Sequence, residues 1–484
     1  MIIRWLSEDG KRKWIYPVNE DLYSHGKIKK QISIKAKVIG VTKVNIPSPM
    51  HPIIPYYVLL LEDEFGNRMP KKVMREYFIG DNYNPKLATS DNAVVLTKIK
   101  YDIDEYLKDT MRLLNVSIKP SDKVLIKPSI IEAAYPYQAV CTNPNVIDAI
   151  IVWLKGQGVA DIIVGEQSYD VMNAAKKSEI LDVCKKYNIS FVDLSIGEFI
   201  DKTVNEVTLR VQKEASERIL INVPVLKTHA QLGVAGALEN LMRLLHPTTQ
   251  KEFYDKGIGV MMPLLSEAFQ GSISIGDASI GLHGQGPGAL GEPAFLNMLY
   301  ASKNPMALDA VFCATSMLPK PAYIAEAMRQ GIIGADIKYI EIVGEELEAC
   351  KMPLKPADPQ ATAHPYIKVI DGGADPLTYS SAVRLSQKLL GIAGHDVYLA
   401  IGKQFDKGQL EGKRIIALGK NARDALQQLQ ISVAAYLAED MDSVEKAMAV
   451  KSLLEQEDKA YLSTMDKAKA KIVSLGSKLQ SKFK

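Results

Sequence analysis

Between about residues 120 and 310, short segments with the composition of buried strands alternate with segments that have the periodicity of helices. The strand-like segments include DKVLIKPSII, ADIIVGEQS, ISFVDL, RILINVPVL and SISIGDAS. After the first of them, Thr142 or Asn143 can cap a helix, and Pro144 suits the first turn of that helix. Alternation of this kind is typical of a parallel-type sheet covered by helices, so we predict an α/β fold.

The rest of the chain divides into further parts by pattern. Residues 1–100 are predicted to form a small β domain, because β-rich segments flank the Pro-rich stretch NIPSPMHPIIP. Residues 101–360 are assigned to the main α/β domain and residues 361–438 to a second, smaller βα unit. Residues 439–484 are rich in Ala, Lys, Glu and Leu, which predicts a helical tail.

Composition and charge argue against several classes of function. The chain has 47% hydrophobic and 24% charged residues, and its formal net charge of +3 is nearly neutral for 484 residues. We therefore expect no nucleic-acid partner. No apolar run reaches the ~18 residues that span a bilayer. The N-terminus also lacks the apolar core of a signal peptide. We expect a cytoplasmic protein with no membrane partner.

The four cysteines, Cys141, Cys184, Cys313 and Cys350, are far apart in sequence, and no CxxC motif occurs. A sequence-local zinc ribbon or ferredoxin-type cluster is therefore excluded. We predict reduced, buried cysteines, with no iron–sulfur cluster and no metal site. Cys141 lies next to the predicted helix N-terminus, which would lower the pKa of its thiol. No base stands beside it in sequence, so a nucleophilic role is not favoured.

Polar side chains occur where four of the predicted strands end. Ligands of parallel α/β sheets bind beyond the carboxyl ends of the strands, so we expect these side chains to form one cleft. The residues predicted to converge are Lys127, Glu166, Lys227, His229, Asp277 and His283. The predicted catalytic residues are His229, His283, Glu166 and Asp277. The predicted ligand-binding residues are Lys127, Asn143, Gln167, Ser168, Lys227, Glu239, Asn240, Gly284 and Gly286.

Several of these residues also have a purely structural interpretation. Lys127 and Glu166 could form an ion pair across neighbouring strand ends. Asn143 acts first as a helix cap. The segment GLHGQGPG could be an exposed loop rather than a cradle of backbone N–H groups for a ligand. His246 is predicted to cap the C-terminal end of the preceding helix and to lie outside the site.

Four segments of the sequence carry a family resemblance. VLIKPSI, TNPNVIDAIIVWLKGQGVADIIVGEQS, LINVPVLKTHAQLGVAGALENLMRLL and IGDASIGLHGQGPGALGEP follow one another along the chain. In this order they resemble the successive motifs of the family called domain of unknown function 362. Members of that family often carry a fused ferredoxin module. No such module occurs in this sequence, so an electron-transfer role is not expected here.

The same architecture is distantly similar to the lactate racemase fold. In that enzyme a histidine is followed ten positions later by a lysine that bears a nickel-pincer nucleotide, and then by a nickel-binding histidine. Here Glu239 stands ten positions after His229, and His246 comes seven positions after that. A glutamate cannot form the lysine tether. Arg243, four residues after Glu239, predicts an ion pair on the helix instead.

The N-terminal β-rich region resembles a different family. QISIKAKVIGVTKV, the Pro-rich stretch and YYVLLLEDEFGNRMPKKV, with Gly80-Asp81 near the end, are similar to the OB-fold domain of an acyl-CoA-associated family. That family is called domain of unknown function 35. The resemblance implies an OB-like barrel within residues 1–100. It also implies acyl-CoA chemistry or docking to an acyl-CoA enzyme.

Together these patterns favour a small-molecule enzyme that uses acid–base chemistry on a carboxylate or an acyl thioester. Such an enzyme would be an isomerase or lyase acting next to a carbonyl, with Lys127 and Lys227 as anion anchors. Two alternatives stay open. One is a noncatalytic partner or scaffold subunit of an acyl-CoA enzyme complex, docking through the OB-like domain or the C-terminal helices. The other is a metal- or cofactor-handling protein related to the nickel-pincer racemases. The sequence does not specify a cofactor.

Overall fold

The computed structural model describes residues 1–452 except positions 50, 169, 289–290, 358–366, 375–377, 380–381, 384, 387–395, 439–440, 442–445 and 447. The chain divides into two compact units, Met1–Ala357 and Asp358–Lys484. The predicted helical tail falls almost wholly outside the described residues. Among the residues that are described, no helix is both long enough and apolar enough to cross a bilayer.

Two small antiparallel sheets form the N-terminal part of the first unit. The first has the order β2-β1-β3 and contains β1 (Ile2–Leu6), β2 (Lys13–Trp14) and β3 (Lys29–Ser33). The second has the order β6-β5-β4-β7 and contains β4 (Ala36–Val44), β5 (Tyr56–Glu62), β6 (Arg68–Val73) and β7 (Asn82–Tyr83). Alternating apolar residues bury Val38, Leu59 and Leu61 beneath this second sheet. The predicted closure into an OB-like barrel stays a prediction.

The remaining strands of the first unit lie in one large sheet and one separate hairpin. The strands of the large sheet are β8 (Ala93–Lys98), β9 (Lys123–Pro128), β10 (Asp161–Glu166), β11 (Ser190–Asp193), β14 (Ile219–Val223), β15 (Val225–His229), β16 (Gly233–Ala235), β17 (Ile273–Gly284), β18 (Gly291–Ala294), β19 (Met298–Ser302) and β20 (Glu341–Gly344). The hairpin consists of β12 (Phe199–Val204) and β13 (Val207–Gln212).

The large sheet is mostly parallel. Its main path has the order β11-β10-β9-β14-β17-β19-β8-β20, with β15, β16 and β18 attached beside β17. Only β16, β18 and β19 pair antiparallel to their neighbours in the described part of this sheet. The carboxyl ends of β8, β9, β10, β14 and β15 therefore lie at the same edge. This edge is where parallel α/β sheets place ligands.

Helices connect the strands and cover the large sheet. They are α1 (Ile103–Leu113), α2 (Pro144–Gly156), α3 (Val171–Lys177), α4 (Ile180–Lys186), α5 (Lys213–Glu217), α6 (Ala237–Met242), α7 (Pro247–Asp255), α8 (Ile258–Met261), α9 (Leu264–Ala268), α10 (Pro305–Ser316) and α11 (Ala322–Arg329). The Asn143 side chain accepts a hydrogen bond from the Asn145 N–H, 3.0 Å away. This contact confirms Asn143 as the N-cap of α2, with Pro144 as its first residue.

Two apolar cores lie on the two faces of the large sheet. Side chains alternate along a strand, so β8 directs Val94 and Leu96 into one core and Ala93 and Val95 into the other. The strand is buried on both faces, as expected for a central strand of a mostly parallel sheet. The sheet thus includes residues that we had assigned by pattern to the N-terminal domain ending at residue 100.

The sequence predictions differ from the structure at three elements. The segment RILINVPVL contains two strands rather than one, because Pro224 has no N–H for the ladder. The sequence predicts one helix near 173–187, and the structure has two short helices there, separated at Glu179, whose φ is +65°. Asp277 was predicted to end a strand, but β17 continues through it to Gly284.

The second unit contains a parallel four-stranded sheet in the residues described. Its strands pair in sequence order and are β21 (Ile367–Gly372), β22 (Val397–Gly402), β23 (Ile415–Leu418) and β24 (Ala435–Leu437). Two helices of this unit are α12 (Lys407–Leu410) and α13 (Lys420–Gln428). Ala417, Ala422 and Leu426 belong to its apolar core.

Candidate functional site

A buried ion pair joins the carboxyl ends of β9 and β10. The Lys127 Nζ lies 2.7 Å from the nearer Glu166 carboxylate oxygen, and both side chains are inaccessible to solvent. The same amine also donates to the Asn240 Oδ1 at 2.9 Å and to the Pro128 carbonyl at 3.3 Å. An ammonium group has three N–H bonds, and three partners use all of them. The geometry therefore corresponds to the ion-pair alternative, and Lys127 has no donor left for an anion.

The Glu166 carboxylate also has hydrogen-bond partners in addition to Lys127. Its carboxylate accepts hydrogen bonds from the backbone N–H groups of Ile130, at 3.1 Å, and Gln167, at 2.8 Å. Burial raises the pKa of Glu166 and lowers the pKa of Lys127, because both charged forms lose hydration, while their mutual attraction opposes both shifts. Glu166 is therefore placed to hold the ends of β9 and β10 together. Its predicted catalytic role stays untested.

Two asparagines extend this polar network to α6. Asn240 on α6 donates to the Lys127 carbonyl at 3.3 Å and to the Asn222 Oδ1 at 2.8 Å. Asn222 on β14 donates in turn to the Ala237 carbonyl at 3.1 Å and to the Ser274 hydroxyl at 3.2 Å. The network thereby fixes α6 against three strand ends. Sequence reasoning missed Asn222, although one amide within the apolar run ILINV was a usable signal.

Asp309, on α10, holds the N-terminal end of α6 from another element. Its carboxylate accepts hydrogen bonds from the N–H groups of Ala237, at 2.5 Å, and Leu238, at 3.2 Å, and from the Tyr323 hydroxyl at 3.2 Å. A Cβ at Gly236 would lie 2.1 Å from its Oδ1, so only glycine allows this approach. Burial raises the pKa of Asp309 to about 7. We did not predict this residue, a lone carboxylate in the otherwise apolar PMALDAVF.

Lys227 and His229 lie on the same face of β15, since residues two apart on a strand point the same way. The Lys227 Nζ donates to the Val140 carbonyl at 2.9 Å, and no carboxylate in the described residues lies within ion-pair distance of it. Burial lowers the pKa of Lys227, although Glu239 opposes the shift. The buried environment thus makes the ammonium form of Lys227 less favourable than it is in water.

His229 is neutral and has a defined tautomer. Its Nδ1 accepts hydrogen bonds from the N–H groups of Gln231, at 3.1 Å, and Leu232, at 3.2 Å. A nitrogen that accepts carries no proton, so the ring proton is on Nε2. Burial lowers the pKa of His229 to about 4, because the protonated ring would lose its hydration. At neutral pH the ring is therefore a hydrogen-bond donor through Nε2.

Glu239 faces this pair from α6. Its carboxylate lies 3.8 Å from the Arg243 guanidinium, which confirms the ion pair predicted from the i, i+4 spacing. Burial pushes the pKa of Glu239 upwards, but the attraction of nearby basic groups, of which Arg243 has the largest effect, opposes burial and the pKa is lowered. We call Lys227, His229 and Glu239 the buried triad.

Two buried oxygens follow Glu166 at the same edge. The Gln167 Oε1 and the Ser168 Oγ are inaccessible to solvent, and neither has a hydrogen-bond partner among the described residues. An unpaired buried polar group typically costs about 1–3 kcal/mol, so native proteins seldom keep one without a reason. Both residues were predicted to bind a ligand, and this observation is the one that most directly supports such a role.

Asp277 and His283 make contacts elsewhere. Asp277 accepts hydrogen bonds from the Asn143 N–H at 2.8 Å and from the Ser279 hydroxyl at 2.6 Å, which ties α2 to β17. His283 accepts from the Lys355 N–H at 3.3 Å. It follows Leu282, the register partner of Lys227, so its side chain points to the opposite face of the sheet. The predicted convergence of six residues is therefore not what the structure has.

The glycine-rich segment packs against the end of β15. The Thr228 hydroxyl donates to the Gly284 carbonyl at 2.8 Å, and a Cβ at Gly286 would lie 2.1 Å from the Thr228 carbonyl oxygen. The N–H groups of Gly284 and Gly286 donate to the carbonyls of Lys355 and Gly284. In this arrangement both groups are occupied by the protein, and their predicted contact with a ligand stays a prediction.

The four cysteines are unpaired and buried, and they divide between the two cores of the sheet. Burial raises the pKa of the Cys141 thiol to about 11, so the lowered pKa expected from its position beside α2 was wrong. Across the described residues, no group of three or more His, Cys, Asp or Glu side chains has a metal-binding arrangement.

The residues present do not fit a nickel-pincer cofactor. Glu239 stands where the tether would need a lysine. His246 is the N-cap of α7, with its Nδ1 accepting from the Thr248 N–H at 3.3 Å and its ring against Phe199. The prediction that His246 caps the C-terminal end of α6 was therefore wrong, because Arg243 already ends that helix. We derive no step through such a cofactor.

The residues of the polar network around Lys127 and those of the buried triad all lie in the part of the chain from β9 to α10. This part contains the four successive sequence motifs described above. Residues 124–314 match the family described as Domain of unknown function (DUF362). The resemblance to this family that the four sequence motifs indicated is thereby confirmed. The DUF362 region thus contains the buried triad, the Lys127–Glu166 pair and the two unpartnered oxygens.

Two further similarities were found. The thylakoid-associated protein sll1697 of Synechocystis sp. is 26% identical over 234 residues, which are 46% of this chain and 72% of that protein. Among solved structures, a chain of the Ltp2-ChsH2(DUF35) aldolase is similar at 16% identity and a TM-score of 0.15. That similarity covers 18% of this chain and 72% of the aldolase chain.

Proposed function

We propose that the DUF362 region is a cytoplasmic small-molecule enzyme that transfers a proton next to a carbonyl group of a carboxylate or acyl thioester. The observation that carries the proposal is the pair of unpartnered oxygens, Gln167 Oε1 and Ser168 Oγ, buried at the ligand-binding edge of the sheet. Hydrogen-bond acceptors in such a position favour a ligand that brings hydroxyl or N–H donors.

The buried triad supplies the acid–base groups. The neutral amine of Lys227 accepts the proton from the carbon next to the carbonyl, and the C–H electron pair moves onto the carbonyl oxygen. The Nε2–H of His229 donates a hydrogen bond to that oxygen as it gains charge. Glu239 then stabilises the ammonium form of Lys227. Return of the proton to the same or the opposite face completes an exchange or a racemisation.

The Lys127–Glu166 pair has a positioning role in this proposal. It bonds β9 to β10 and, through Asn240, both strands to α6, which carries Glu239. Lys227 rather than Lys127 is the basic group at the reacting centre.

The variant Gln167→Leu tests whether the unpartnered Gln167 oxygen binds a ligand. Gln167→Leu removes the unpartnered oxygen, so its thermal midpoint should equal or exceed that of the unmodified protein. The same variant should lose the stabilisation that lactate, 3-hydroxybutyrate or acetyl-CoA gives the unmodified protein in thermal-shift assays. Gln157→Leu, at the exposed C-cap of α2, is the matched control and should keep the ligand response.

The thermal midpoint reports on a structural role of Gln167, and the ligand-induced shift reports on a role in binding. A Gln167→Leu protein that binds the same ligands as the Gln157→Leu control contradicts the proposed site. A Gln167→Leu protein that is strongly destabilised shows that the oxygen has a structural partner. A complete absence of binding in all proteins favours the scaffold alternative.

A further inference from the structure

A cavity lies at the carboxyl edge of the large sheet, two strands away from β17. Its volume is about 180 Å³. Lys98, the last residue of β8, lines it together with His51 from the N-terminal region and the start of β19. Because β8 is antiparallel to β19 and β19 is antiparallel to β17, Lys98 points towards the same edge as the DUF362 site.

The rim of this cavity is basic. The Lys98 amine donates to the Ala349 carbonyl at 3.2 Å, and the Lys72 amine lies 3.4 Å from the Nδ1 of His51. Burial lowers the pKa of both His51 and Lys72, and the neighbouring positive charges lower them further. Lys98 and His51 line the cavity, and Lys72 lies behind His51; we call these three residues the basic rim.

The basic rim lacks an acidic partner. No Asp or Glu among the described residues forms an ion pair with Lys72 or Lys98. Glu345 attracts Lys98 through space, but its carboxylate is bonded to the Lys71 amine. The ammonium groups of Lys72 and Lys98 repel one another in a partly buried position, and a bound anion would convert this repulsion into attraction.

The floor of the cavity is apolar and aromatic. Tyr300 and Phe312 pack edge to face, with ring centroids 6.1 Å apart, and Met298 lies beside them. The Tyr300 hydroxyl is satisfied by Thr315 at 2.8 Å, so the floor needs no polar ligand atom there. A cavity of about 150 Å³ holds a benzene molecule. The volume here therefore suits a ring or short chain with one anionic group.

We propose that this cavity binds a small amphipathic carboxylate, with the carboxylate at the basic rim and the apolar body on the aromatic floor. The site does not depend on the proposed proton transfer, since none of its residues belongs to the buried triad. Its ligand class follows from two features together: the uncompensated positive charge and the apolar floor beneath it.

Isothermal titration with benzoate tests this site. Benzoate combines the two recognised features, whereas acetate has only the charge and benzamide only the ring. We expect benzoate to bind at least tenfold more tightly than either. Benzoate has no hydrogen on the carbon next to its carboxylate, so it cannot be a substrate for the proposed proton transfer.

Four variants locate the benzoate-binding site. Lys72→Met and Lys98→Met should each weaken benzoate binding about tenfold, while Lys37→Met, on the exposed side of β4, should not change it. Gln167→Leu should also leave benzoate affinity unchanged. Equal binding of benzoate and benzamide would overturn the proposal. So would a loss of benzoate binding in Gln167→Leu with no loss in the two rim variants. If one rim variant does not fold, the other and the ligand comparison still decide.

Discussion

Replacing Lys127 by methionine should lower the free energy of unfolding by about 3–5 kcal/mol, the usual cost of removing one partner of a buried ion pair. The Glu166 carboxylate would keep its two backbone N–H donors but lose its only charged partner, 2.7 Å away. Methionine preserves most of the side-chain length, so the loss of charge dominates. The measurement is urea unfolding at pH 7, followed by the fluorescence of Trp5, Trp14 and Trp153, which all lie in the first unit.

Two controls identify the cause. Adding Glu166→Gln to Lys127→Met removes the unpaired charge and should recover much of the lost stability. Lys185→Met breaks an exposed i, i+3 pair with Asp182 on α4 and should cost less than about 1 kcal/mol. A Lys127→Met protein as stable as Lys185→Met would show that the buried pair does not hold the strand ends.

Acidification should destabilise the protein through His229. Its folded-state pKa of about 4 lies below the ordinary 6.5, so between these values the unfolded chain binds the proton more strongly. Stability from this group is complete above about pH 6.5 and is lost as the pH falls towards 4. The difference corresponds to about 3 kcal/mol at about 1.36 kcal/mol per pH unit. Protonation of Nδ1 would also break its two backbone hydrogen bonds.

His229→Asn isolates this contribution. The asparagine oxygen can accept from the same Gln231 and Leu232 N–H groups but does not titrate, so the stability of this variant should fall less between pH 6.5 and 4.5. His246→Asn is the matched control, because His246 also accepts a backbone N–H through Nδ1 but is partly exposed. It should keep the unmodified pH dependence. Parallel curves for the unmodified protein and His229→Asn would contradict a buried, neutral His229.

The architecture was largely predictable because alternation and burial are local properties of the sequence. Runs such as VLIKP and DIIVG are apolar on both faces, which only a helix-covered sheet accommodates. A cap at Thr142 or Asn143 was predictable because Pro144 follows, and the structure has Asn143 as the cap. The extent of β17 was not, since its last residues are stabilised by pairing with β15 and β18, which the local pattern does not reveal.

The candidate site was predictable only in part. Strand ends placed Lys127, Glu166, Lys227 and His229 at one edge, and the structure brings all four there. His283 was misplaced because its face depends on the register of β17 against β15, a long-range property. Asp309 was missed because it reaches the site from α10 and lies 72 residues after Ala237, from whose N–H it accepts a hydrogen bond.

Proton exchange in D₂O tests the central proposal most directly. Lactate, 3-hydroxybutyrate and acetyl-CoA are incubated separately with the protein, and ¹H NMR follows the signal of the hydrogen next to each carbonyl. We predict loss of this signal from at least one compound above the buffer rate, with the loss abolished in Lys227→Met and unchanged in Lys37→Met. Tryptophan fluorescence of each variant confirms folding, and His229→Asn provides a second variant of the triad. Exchange at the buffer rate for all three compounds, or equal exchange in Lys227→Met and the unmodified protein, would contradict the account.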